Sequence, residues 1–126
     1  MRLSLHILAA TVWVGGQITL AGLVPAMRTV GGEAPRVIAR AFARLSWPAF
    51  ALLIATGIWN VAADNPGNAS TAWKVVLGAK IGVVALSGLS AWLHTRATSR
   101  KSIAIWGALT GTSAVAALVM GVFLAG

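Results

Sequence analysis

The sequence contains no cysteine, which excludes disulfides, thiolate metal sites and Fe–S clusters. Acid is almost as scarce. Asp and Glu together number 2 against 10 Lys and Arg, and the two acids, Glu33 and Asp64, fall in segments that read as loops. The chain thus offers no carboxylate pair. It also offers no Ser/His/Asp set and no phosphate-binding glycine loop, so hydrolase and nucleotide chemistry find no support. Charged residues of either sign make up only 10% of the chain.

What fills the 126 residues instead is apolar. Hydrophobic residues account for 58% of the chain and the mean hydropathy is +0.84, a membrane composition and not a soluble one. The net charge of +8 is of the size seen in nucleic-acid binders, but its placement argues against that partner. Arg28, Arg36, Arg40 and Arg44 surround one connection, while Arg96, Arg100 and Lys101 fill another. Basic residues at helix ends on one side are a topology signal, and anionic lipid headgroups are their usual partners.

Residues 3–24 carry no charge, enough for a helix to cross about 30 Å of hydrocarbon at about 1.5 Å per residue. The run is too long for a signal-peptide core, and no small-x-small cleavage site follows. Pro25 and Gly31-Gly32-Glu33-Ala34-Pro35 are expected to end this helix. An amphipathic interfacial segment over 36–44 leads into a second span over 45–63. Asp64-Asn65-Pro66-Gly67-Asn68-Ala69-Ser70 is a dense turn sequence. A third span covers 71–94, a second basic turn 95–102, and a fourth span 103–124. The expected fold is one all-α domain over 1–126, an integral membrane four-helix up-down bundle.

An even number of spans puts both termini on one side. The first and third connections hold nearly all the arginine, so the positive-inside rule places the termini outside the cytoplasm. Trp59 and Trp73 then fall at the outer interface, and Trp47, Trp92 and Trp106 near the inner one. Trp13 lies near the middle of its span.

The polar residues form stripes. His6, Trp13 and Gln17 fall within about 20° of one another on a regular helix, and Leu53, Thr56 and Asn60 share a face of the second. Trp73, Lys80, Ser87 and His94 recur at intervals of seven on the third, as do Trp106, Ser113 and Met120 on the fourth. That spacing suits shallow left-handed packing, and Gly78-x-x-x-Gly82 and Gly107-x-x-x-Gly111 permit close approach. The plainest reading of Ser87, Ser113 and Thr56 is a packing seam with each hydroxyl satisfied by a backbone carbonyl.

Lys80 and His6 support sharper readings. Lys80 lies inside its span at a cost of about 2.5–3.5 kcal/mol on insertion scales. With no acid inside any span, it either snorkels toward Asp64 and the helix-end carbonyls or meets an anionic group of a ligand. Alternating helix directions bring His6, Asn60, Trp73 and Met120 near one surface, with Lys80 and Trp13 beneath. His6 and Met120 are candidate metal ligands, because imidazole and thioether suit haem iron and Cu(I). The alternative is an interfacial histidine bonded to a carbonyl and a packing methionine. Parity argues against a bis-histidine haem on His6 and His94. The two helices run the same way, one starts with His6 and the other ends with His94, and the residues stand some 25 Å or more apart. His94 belongs among headgroups.

These segments, Leu5-His6 with Trp13-Val14-Gly15-Gly16, Arg44-Leu45-Ser46-Trp47-Pro48, Thr56-Gly57-Ile58-Trp59-Asn60, and Trp73, Leu77 and Lys80, resemble the copper-resistance protein D (CopD-like) superfamily of bacterial inner-membrane proteins. That group includes the HemJ-type protoporphyrinogen oxidases. The resemblance covers essentially all four spans. It implies a four-helix membrane domain tied to copper uptake or to haem and porphyrin chemistry, with His6 as the haem-associated histidine and Lys80 facing a propionate. The chain departs from the HemJ pattern in having no arginine just after the first-helix histidine, and it has no Met- or His-rich outer segment.

The expected function is therefore a polytopic plasma-membrane protein that binds copper or b-type haem near the outer face through His6, with Met120, Trp13, Asn60 and Lys80 around it. A porphyrinogen oxidase, which would be a haem-dependent oxidoreductase, is one alternative. A non-catalytic accessory subunit of a larger membrane complex is the other. The implied partners are the lipid bilayer and, through the GxxxG faces, a second copy or other subunits.

Overall fold

The computed structural model describes residues 1–125 and is all-α. Four helices are long and apolar enough to cross a membrane: α1 Arg2–Val30, α2 Ala34–Ala63, α3 Thr71–Arg96 and α4 Arg100–Ala125. Each connection carries the chemistry that stops a helix. Gly31 and Gly32 adopt φ of 74° and 58° between α1 and α2, a region that costs glycine nothing. Asn65, at φ 52°, turns the chain between α2 and a short 3-10 turn over Pro66–Asn68. Ser70 then caps α3 by accepting the Trp73 N–H at 3.1 Å, and Ser99 accepts the Ser102 N–H at 3.1 Å before α4. Both are side-chain N-caps.

Pro25 does not end α1, as the sequence leads one to expect; the helix continues to Val30. Proline removes one donor and strains one turn, and the chain ends its helix at the glycine pair instead. Pro48 is likewise inside α2. α1 has an irregularity of its own, a π turn over Thr11–Gly15. Thr11 at its start donates its hydroxyl to Ile7 O at 2.8 Å, a carbonyl that also accepts the Thr11 backbone N–H. A π turn inserts an extra residue, so Gln17 falls about 100° away from the position a regular helix would give it. The stripe of His6, Trp13 and Gln17 is therefore broken after Trp13.

Contacts divide the chain into two compact units, Met1–Asp64 and Asn65–Gly126. Each is an antiparallel helical hairpin. In the first, Arg2 bonds Asn60 and His6 bonds Thr56, so four residues forward on α1 answer four residues back on α2. In the second, Trp73 Nε1 donates to Leu124 O, Ser87 Oγ to Thr110 O, and His94 Nδ1 to Ile103 O. Every step along α3 is matched by an equal step back along α4. The intervals of seven on α3 are this seam; on α4 its hydrogen-bond partners are Ile103, Thr110 and Leu124, not the expected Trp106, Ser113 and Met120.

Burial is inverted relative to a water-soluble protein. The buried polar residues are Ser46, Thr56, Ser87, Ser90, Thr110 and Ser113, whereas Leu3, Ile7, Leu8, Ile58, Ile81 and Val122 are exposed. Small and hydroxylated residues inside with branched apolar ones outside is the arrangement that lipid solvent selects. Several of the hydroxyls are satisfied within their own helix: Thr110 donates to Trp106 O at 2.7 Å, and Ser113 to Leu109 O at 2.5 Å. Ser90 Oγ is buried with no hydrogen-bond partner among the described residues. Two of the expected close-approach glycines lie away from the contact between α3 and α4. Gly78 and Gly82 are exposed, with nothing within 4 Å of where a Cβ would stand. They lie off the seam because Trp73, Ser87 and His94 set the face that meets α4. Gly107 does sit at the seam, beneath the His94 ring.

Candidate functional site

The densest polar cluster lies at the open end of the first hairpin, where α1 begins and α2 finishes. Arg2 donates through one guanidinium nitrogen to Asn60 Oδ1 at 3.1 Å and through the other to Asp64 Oδ1 at 3.2 Å. One turn deeper, His6 Nδ1 lies 2.8 Å from Thr56 Oγ1. Thr56 is 2% exposed, and its single hydroxyl proton goes to Leu52 O at 2.7 Å. The hydroxyl oxygen must therefore accept from His6, which makes Nδ1 a protonated nitrogen and, in the neutral ring, leaves the lone pair on Nε2. The ring also packs on α2, where a Cβ on Gly57 would stand 3.5 Å from His6 Cε1.

Two turns further in, the π turn carries Trp13, 3% exposed. Its ring lies 4.5 Å from Phe50 and 5.5 Å from Trp47 between centroids, and Trp47 meets Phe50 edge-on at 5.9 Å. This aromatic layer closes the seam beneath His6. Tilted and edge contacts of this kind add about 0.5–1.5 kcal/mol per pair beyond area burial.

The structure thus brings together His6 and Asn60, adds Arg2, Thr56 and Asp64 around them, and places Trp13 below. Lys80 and Met120 belong to the second hairpin, within which they are described. The register of α3 on α4 sets Lys80 opposite Ala117, yet its ammonium reaches Gly121, where a Cβ would stand 2.9 Å from Nζ. The head is carried four residues, or about 6 Å, toward the carbonyl end of α4. This is the snorkelling geometry. Met120 is half-buried and precedes that glycine. Asp64, one expected target of Lys80, is held by Arg2. His94 donates to Ile103 O at 2.9 Å and rests on Gly107, a packing role at the basic turn.

Sequence reasoning passed over Arg2 and Asp64 as site residues and gave Thr56 only a packing role. The signal for the first two was present: opposite charges at the two ends of one predicted hairpin. Nothing in the spacing alone indicates that Thr56 sets the tautomer of His6.

The donor set limits the metal chemistry. Among the described residues, no group of three or more His, Cys, Asp or Glu converges on a point. A copper ion would need several protein donors. A haem brings four nitrogens of its own and asks the chain for an axial ligand, and His6, oriented through Nδ1, suits that need. No protein family, no curated protein and no solved structure matches this chain.

Proposed function

We propose that this multi-pass membrane protein is a CopD-like protein that binds a b-type haem at the Arg2–Asp64 end of its first hairpin, with His6 as axial ligand through Nε2. The observation behind this reading is the His6–Thr56–Leu52 relay. Metal-binding histidines almost always donate their other ring nitrogen to an oriented acceptor, which fixes the tautomer and the ring plane. Arg2 supplies the cationic group that porphyrin carboxylates need, and Asn60 and Asp64 hold it in place. When bound, the haem supplies one-electron redox chemistry. His6 would hold it, Thr56 would orient His6, and the Trp13 layer would keep water from the seam below.

In this reading the protein resides in a bacterial plasma membrane with both termini outside the cytoplasm. The support is the arginine bias of the first and third connections under the positive-inside rule. The test is a haem titration of detergent-purified protein followed at the Soret band. Wild type should saturate at one haem per chain, and His6→Ala should not. If protein without haem instead carries stoichiometric copper that His6→Ala removes, the copper reading replaces this one. If it carries neither, the accessory-subunit reading does.

A further inference from the structure

We propose that the basic end of the first hairpin is a binding site for one anionic phospholipid, with an acyl chain in the α1/α2 groove and the phosphate on Arg40 and Arg44. The groove has a volume of about 440 Å³ and is walled by Val12, Leu20 and Leu23 of α1 and Ile38, Phe42 and Leu45 of α2. Gly16 makes it possible, because a Cβ there would run into the Phe42 ring. Thr19 also faces it, but donates its hydroxyl to Gly15 O at 2.8 Å, so the wall stays apolar. Ala41 also lines a second recess of about 220 Å³, shared with Val37, Arg40 and Arg44.

Length and depth identify the occupant. From Val12 to Leu23 the groove runs about 16 Å at 1.5 Å per residue, the thickness of one leaflet of a hydrocarbon core about 30 Å across. Counting about 20 residues inward from Leu3 on α1 and from Ala63 on α2 puts the far edge of that core at Leu23 and beside Arg44. The groove therefore begins near the midplane and ends at the headgroup level, where the two arginines stand one turn apart on one face. Among the described residues the ion pairs are Arg2–Asp64 and Arg36–Glu33, so neither Arg40 nor Arg44 is matched with a carboxylate. Paired guanidiniums suit a phosphodiester, which accepts two parallel N–H bonds.

Native mass spectrometry of delipidated protein, titrated separately with palmitoyl-oleoyl phosphatidylglycerol and phosphatidylcholine, tests this. One phosphatidylglycerol should be retained at a concentration about 10–30-fold below that needed for phosphatidylcholine, the ratio two interfacial arginines provide. Arg40→Gln/Arg44→Gln should abolish that preference and Arg40→Lys/Arg44→Lys should keep most of it. Ala41→Leu, which fills the groove, should weaken both lipids with the helical circular dichroism unchanged. Equal retention of the two lipids would overturn the proposal, as would a preference that survives the double Gln variant. So would displacement of the lipid by glycerol phosphate at similar concentration, which would mean a headgroup site without a groove. Dimers that dissociate as lipid is added would make the occupant a second copy of the chain.

Discussion

His6 Nδ1 stands 2.8 Å from Thr56 Oγ1, and that hydroxyl is in turn bound to the Leu52 carbonyl at 2.7 Å. The tautomer and orientation of the one histidine in the first hairpin are thus set by a backbone carbonyl one turn away on the opposing helix.

The consequence is measurable in Thr56→Val, which keeps the volume and removes the acceptor. Loss of such a partner typically costs about 10–100-fold in metal affinity. Haem titration should give that loss for Thr56→Val and near-wild-type binding for Thr56→Ser, whose hydroxyl can repeat the relay.

The Arg2–Asp64 pair predicts a small effect on stability. The side chains are 32% and 52% exposed, and pairs of that kind are worth about 0–1 kcal/mol. A double-mutant cycle on Arg2→Ala and Asp64→Ala, read by chemical unfolding in micelles, should give a coupling within that range. Arg2→Ala should nonetheless weaken haem binding, because its role lies in charge and not in holding the hairpin.

Two glycines separate helix propensity from packing. Alanine gains about 1 kcal/mol over glycine within a helix. At Gly121 the new Cβ meets only the mobile end of Lys80, so Gly121→Ala should be neutral or stabilising in thermal unfolding. At Gly16 it meets the Phe42 ring, and overpacking of that kind costs about 1–3 kcal/mol, so Gly16→Ala should lose stability. Phe42→Leu introduced alongside should recover most of the loss.

A chain without cysteine lends itself to topology mapping. Single cysteines at Gly67 and Ser99 lie in the two turns on either side of α3. Gly67→Cys should react with an impermeant maleimide added outside intact cells, and Ser99→Cys only after permeabilisation. The reverse pattern would invert the proposed orientation.

The four spans are legible in the sequence because membrane crossing depends on hydropathy and length, both of which a linear chain displays. The second seam is legible on α3, where Trp73, Ser87 and His94 recur at sevens, whereas on α4 their partners Leu124, Thr110 and Ile103 stand three or four residues away from the expected stripe of Trp106, Ser113 and Met120. The first seam is less so. The π turn at Thr11–Gly15 shifts the phase of all that follows, and periodicity arguments assume a constant rise and turn. Pro25 misleads for a related reason, since its local preference is outweighed by the helix around it. Gly78 and Gly82 fit a close-approach motif but lie off the α3–α4 seam; a motif states that approach is permitted, and the larger residues of the stripe decide which face meets α4. His6 is singled out by its stripe, its depth and its ligand chemistry, whereas its pairing with Thr56 emerges only from the antiparallel register.

The most direct measurement is the dithionite-reduced minus oxidised absorption spectrum of haem-reconstituted protein, taken on wild type, His6→Ala and His94→Ala. Wild type and His94→Ala should share the Soret and visible bands of a histidine-ligated ferrous haem, and His6→Ala should lack them. Bands that persist in His6→Ala, or that vanish only in His94→Ala, would contradict the assignment of His6 as the ligand.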